Sequence, residues 1–227
     1  MKRVITALLA ALLALSLAAC GSGVETKKLA GTWTCTIDVT DRMNAAAEQA
    51  LGLSAADGAA KMPLQLVLTV TEDGAYTLRY DSDAARTALD AYAAALHPAA
   101  VESVYAAAEE QGFSREEYDA AMEKAGITMD DMVAAIFAGV DEEELLSLLT
   151  GRSAAITGYC RAEGGQLYLA DTAADLTETA DCLSYTLSDG TMTWTDAQGE
   201  LSSQLTEQEQ ELLRVPLTWT KRAEESK

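Results

Sequence analysis

Residues 29–39 read Leu-Ala-Gly-Thr-Trp-Thr-Cys-Thr-Ile-Asp-Val. Trp33, Cys35, Ile37 and Val39 alternate with threonines and an aspartate. A period of two sends successive side chains to opposite faces, so this stretch predicts a half-buried β-strand. The same period recurs at Leu64, Leu66, Leu68 and Val70, and again at Tyr76, Leu78 and Tyr80, with Glu72-Asp73-Gly74 between the two runs. A two-residue loop at Asp73-Gly74 would set Val70 opposite Thr77 and split the apolar sets between faces. A three-residue loop sets Val70 opposite Tyr76 and Leu68 opposite Leu78. Register follows the buried face, so a type I turn with Gly74 in the left-handed bulge position is expected.

Two later hairpins follow from the same reasoning. Leu183, Tyr185 and Leu187 precede Asp189-Gly190, and Met192 and Trp194 follow it. A two-residue type I′ loop pairs Leu187 with Met192 and Tyr185 with Trp194. Gly164-Gly165 joins Ile156–Ala162 to Gln166–Ala170 and puts Cys160 opposite Leu169. The last strand, Pro216–Lys221, carries its proline at the start, where a missing donor is tolerated. The fold class is therefore α+β. Seven to eight antiparallel strands form an up-and-down barrel or a strongly curled sheet, interrupted by a bundle of short helices.

The interruption is residues 82–151. Alanine is abundant there and β-branched residues are few. Ser82 or Asp83 caps a helix to about Leu96, and Pro98 takes the first position of a further helix to about Gln111. Three starts then repeat one pattern: Ser114 with Glu117, Thr128 with Asp131, and Asp141 with Glu144. Each has a cap, an acid three residues on, and an apolar residue on either side. Gly112, Gly126, Gly139 and Gly151 stand where these helices should stop. Five short helices are thus expected between the third and fourth strands. From Asp81 to Thr150 the chain has 16 acids and three bases. Shorter helices are expected at Met43–Leu51 and at Thr206–Leu213.

The amino terminus carries an address. Lys2 and Arg3 head an apolar run, Val4 to Ala19, too short to span a bilayer comfortably. The run ends Leu17-Ala-Ala-Cys20, which resembles the lipobox of bacterial lipoproteins. That resemblance implies cleavage before Cys20, a diacylglycerol on Cys20, and residence at the extracytoplasmic face of a cell membrane. The domain reading is a leader at 1–19, a lipidated cysteine and tether at 20–28, a β domain at 29–81 and 152–223, and the acidic insertion at 82–151. A flexible tether of this length spans about 15 Å.

Removing the leader leaves 14 basic against 36 acidic residues, a net of −22. Such a surface repels nucleic acid, which is not an expected partner. His97 is the only histidine, so histidine-based nucleophilic triads are excluded; it reads as a helix-entry residue before Pro98. Cys35, Cys160 and Cys182 admit either one disulfide with a free thiol or three small buried hydrophobes. No Cys-x-x-Cys or Cys/His cluster occurs, so neither a metal nor a cofactor is expected. The acids at Asp130, Asp131 and 141–144 lack the spacing of a calcium loop and suit the first turns of helices. No carboxylate pair stands out as a catalytic acid and base.

The strand aromatics fill a core or line a ligand cavity, since a small barrel can hold one apolar ligand. Trp33, Tyr80, Tyr185 and Trp194 are the candidate ligand contacts. Gly31-Thr-Trp33 opening the first strand is similar to the Gly-x-Trp start of lipocalins, and Leu217–Arg222 resembles the closing strand of that family. The resemblance implies that Lys221 or Arg222 packs over Trp33. The lipobox, the aromatic strands and the missing catalytic set together lead to the expectation of a non-enzymatic module that binds a small apolar or peptidic ligand. The acidic insertion departs from a lipocalin cup, and its alternative role is to dock a protein partner.

Overall fold

A computed structural model describes residues 25–53, 60–138, 155–177, 180–198 and 213–223. Cys20, the start at Asp141, the stops at Gly139 and Gly151, and the helix expected from Thr206 lie outside the described residues. The elements run β1 (Gly31–Asp38), α1 (Thr40–Leu51), β2 (Pro63–Val70), β3 (Ala75–Tyr80), α2 (Ser82–Glu110), α3 (Arg115–Ala125), α4 (Met129–Phe137), β4 (Ile156–Glu163), β5 (Gln166–Ala170), β6 (Asp181–Ser188), β7 (Thr191–Gln198) and β8 (Leu217–Lys221). The eight strands form one closed antiparallel barrel in sequence order. β1 meets β8 with Trp33 opposite Lys221 and Thr34 opposite Thr220. Closure removes the two edges that an open sheet would leave to pair with other chains.

The chain divides into two compact units. One is Met1–Cys35, Leu66–Tyr80 and Ala154–Lys227, which holds most of the barrel; the other is Thr36–Gln65 and Asp81–Ser153, which holds the helices.

All three expected registers are present. Val70 faces Tyr76 and Leu68 faces Leu78, with Gly74 at φ +85°. Cys160 faces Leu169. Leu187 faces Met192 and Tyr185 faces Trp194 around Asp189 and Gly190, both at positive φ. One feature of β6 and β7 is new. The register shifts between Ser184 and Tyr185, so that Ser184 faces Asp196, and Thr195 Oγ1 donates to the Ser184 carbonyl at 3.3 Å. The bulge left no mark in the sequence, because Thr195 also fits the next outward position of a regular strand.

The barrel core is built from the inward residues of these registers. Trp219 is 0% and Trp33 1% exposed, and Leu64, Leu183 and Met192 are as deeply buried. Trp33 Nε1 donates to the Leu29 carbonyl at 2.7 Å, and Lys221 Nζ lies 5.2 Å from the Trp33 ring centre. Lys221 is thus the cation that the lipocalin resemblance implies. A Cβ at position 31 would lie 2.7 Å from Lys221 Cε, so glycine there leaves room for the lysine stem. Residues 25–29 form a helical turn beside the barrel. Its Thr26 Oγ1 accepts the Ala162 amide at 3.0 Å, where β4 has run past the start of β3.

In the helical unit the two helices expected around Pro98 are one. α2 runs unbroken for 29 residues with Pro98 inside it, and Asp81 rather than Ser82 or Asp83 caps it by accepting from the Ala84 amide. A proline in a helix interior removes one backbone hydrogen bond and costs about 3 kcal/mol. Against that, Ala85, Ala88, Tyr92, Leu96, Ala100, Val104 and Ala108 form a buried stripe at helical spacing that continues through the proline. A break would turn half of the stripe away from its packing. His97 therefore sits mid-helix, not at a helix entry, and its Nε2 lies 3.0 Å from Asp130 Oδ1 on α4.

The capping boxes of Ser114 with Glu117 and Thr128 with Asp131 both form. Arg115 clamps α3 to α2. Its Nη2 lies 2.8 Å from Glu102, its Nε 3.2 Å from Glu109, and its guanidinium stacks on the Tyr105 ring. The hydrogen bond from Arg115 holds the Glu102 carboxyl below the usual carboxylate range.

Candidate functional site

α1 and α2 face each other through small residues. Ala46, Ala47 and Ala50 follow Met43 on one side of α1, and Ala93 stands between Leu89 and Leu96 on α2. Methyl side chains reach too little to fill the space between two helix backbones. A cleft of about 230 Å³ results, with Leu51 and Phe137 also in its lining. Its walls are mostly apolar. Below it Leu53, Ala100 and Val133 are buried together, with Leu51, Val101, Ile136 and Phe137 packed against them. Phe137 therefore belongs both to this small core and to the cleft wall.

Two lining residues are polar. Tyr92 is buried, and its hydroxyl donates to Asn44 Oδ1 at 2.7 Å, which ties α2 to α1. Burial raises the Tyr92 pKa, so the phenol remains a neutral donor at physiological pH. Asp90 is exposed at the rim. The volume equals that of about eight liquid waters. It suits one aromatic ring or a short branched chain.

None of the four aromatics expected to contact a ligand lines this cleft. Trp33 and Trp194 are buried in the barrel core, and Trp194 packs on Trp219 at 4.9 Å between ring centres. Tyr185 and Trp194 do come together as a cross-strand pair. Tyr80, opposite Leu66, and Tyr185 are half-buried. The sequence signal for the cleft was the run of small residues at Ala46, Ala47 and Ala50 that follows Met43. That run reads as an ordinary amphipathic helix until its partner helix is known.

Cys35 and Cys160 are buried and Cys182 is half-buried, and none of the three is in a disulfide. Of the two cysteine alternatives, the structure has the one without a disulfide. Burial pushes the Cys160 thiol up to about 12 and raises Cys35 as well. An unfolded thiol ionises near about 8.5. As pH rises above that value the unfolded chain loses its thiol protons first, and stability falls until the folded thiol titrates. Burial raises Tyr185 in the same direction. Urea midpoints are expected to hold steady from pH 7 to about 8.5 and then to decline towards pH 11, and Cys160→Ala should flatten that decline. A midpoint independent of pH up to 11 would contradict the buried thiol.

Among the described residues no group of three or more histidine, cysteine, aspartate or glutamate side chains could hold a metal ion. Among them, too, no helix is long and apolar enough to cross a membrane. No protein-family model, no curated protein and no solved structure matches this chain.

Proposed function

We propose that this chain is a lipid-anchored extracytoplasmic lipoprotein whose helical unit binds a small apolar ligand without transforming it. The carrying observation is the cleft between α1 and α2, with its mostly apolar walls and the Tyr92 hydroxyl already bonded to Asn44. Ligand sites are typically concave and apolar with few polar groups. No serine, cysteine or histidine lines this one, so its chemistry favours holding over reacting. The anchor rests on Leu17-Ala-Ala-Cys20 and the charged head before it. Two acyl chains suffice for stable attachment at about 0.8 kcal/mol per buried methylene.

The ligand half is tested with toluene and benzyl alcohol, by ligand-observed NMR on the leaderless chain. A ligand of seven or eight heavy atoms is expected to bind with a dissociation constant of about 0.1–1 mM. Ala50→Phe places a ring in the cleft from an exposed position on α1 and should weaken binding at least tenfold; Ala93→Phe should do the same from α2. Binding unaffected by either variant, or no binding of either probe, sinks the reading. The anchor half is tested by the intact mass of the chain recovered from bacterial membranes. A mass matching residues 20–227 plus a diacylglycerol supports it, and an unmodified Cys20 ends it.

A further inference from the structure

We infer that the preferred occupant of the cleft is a small apolar amine, an organic cation with a hydrocarbon body; this rests on the ligand-binding reading above. Three observations point to a positive head group. Asp90 is the only ionised side chain among the lining residues, and it stands at the rim. It forms no ion pair among the described residues, whose salt bridges use Asp38, Glu102, Glu109, Asp130 and Glu163. The carboxylate is therefore available to a ligand.

Second, Ala50 and Leu51 bring the carboxyl end of α1 to the cleft. The last carbonyls of a helix carry a partial negative charge that attracts cations. The last turn of α1 has no basic residue to meet it. Third, the described helices between 81 and 138 carry 12 acids against three bases, which makes the potential around them negative. An anionic head group such as a fatty carboxylate would meet all three terms with the wrong sign. A neutral body fits the walls but leaves the rim carboxylate unused.

The geometry sets a length. The head group belongs at the rim beside Asp90 and the hydrocarbon on the alanine faces of α1 and α2. A ring with one or two methylenes before the nitrogen fits the volume.

The test compares isosteric probes on the leaderless chain: benzylamine, benzyl alcohol and benzoate at pH 7, where the first is a cation and the last an anion. Benzylamine is expected to bind about threefold to tenfold tighter than benzyl alcohol, with benzoate weaker than both. The advantage of the amine should shrink in 0.5 M salt, since exposed charges are screened over about 4–5 Å there. Asp90→Asn keeps the shape of the rim and should bring amine and alcohol close to parity.

Equal affinity of amine and alcohol in the unaltered chain overturns the inference while leaving the apolar site standing. So does an amine advantage that Asp90→Asn leaves undiminished. Failure of toluene and benzyl alcohol as well as benzylamine overturns the site itself, so the two failures are distinguishable.

Discussion

A Trp219→Ala chain is expected to lose about 3–5 kcal/mol of stability, the range for deleting a large aromatic from a closed core. Trp219 is 0% exposed, faces Met192 across β7 and β8, and packs on Trp194. Met192 is fully buried and Trp194 nearly so. Neighbours held in a closed barrel cannot collapse far into the space left behind, so the cavity contribution should be near its full size. At about 2–4 °C per kcal/mol for a chain of this size, the melting temperature should drop by about 6–20 °C.

Trp219→Phe should be much milder. The indole Nε1 of Trp219 is buried without a hydrogen-bond acceptor among the described residues, as is that of Trp194. A buried donor without a partner costs about 1–3 kcal/mol. Phenylalanine removes that donor along with part of the ring, so the two effects oppose each other. A loss of about 1–2 kcal/mol is expected, measured by urea unfolding followed by far-ultraviolet circular dichroism. An alanine variant within about 1 kcal/mol of the parent would show that Trp219 does not lie at the packed centre.

Gly74→Ala is expected to cost about 2–4 kcal/mol, and Gly190→Ala only about 1 kcal/mol. Both glycines sit in hairpin turns at similar positive φ, +85° and +78°. They differ in what a Cβ would meet. At Gly74 it would lie 2.3 Å from the Cys160 carbonyl oxygen, while at Gly190 nothing stands within 4 Å. The Gly74 carbonyl also accepts the Cys160 amide at 2.7 Å, so the β2–β3 turn is pinned against β4 and cannot move away. The left-handed conformation alone predicts equal costs, and equal measured costs would mean that the turn is not pinned.

Much of the barrel was legible because hairpin chemistry and face alternation are local. Asp73-Gly74, Gly164-Gly165 and Asp189-Gly190 each allow few loop lengths, and only one length keeps the apolar residues together. The capping boxes at Ser114 and Thr128 were legible for the same reason, since a cap and its acid lie within one turn. The lysine over Trp33 came from the likeness of both barrel ends to lipocalins, a likeness the closed eight-stranded barrel agrees with at the level of architecture.

Other features were not local. Pro98 reads as a helix boundary on its own propensity, and only the buried stripe from Ala85 to Ala108 carries α2 through it. The bulge at Thr195 depends on how β6 and β7 align, and threonine fits either alignment. Trp33 and Trp194 read first as core and second as cavity wall, and both are buried in the barrel.

The sequence by itself determined the hairpin registers next to the turns, the turn types, the acidic helical interruption and the strongly negative charge. Each of these follows from residues close together in the chain. The tertiary structure alone decided that the barrel closes, that α2 is continuous, and that the alanine faces of α1 and α2 meet around an opening. A void has no residue of its own. It exists only where two surfaces, distant in sequence, fail to fill the space between them, and no local pattern encodes that failure.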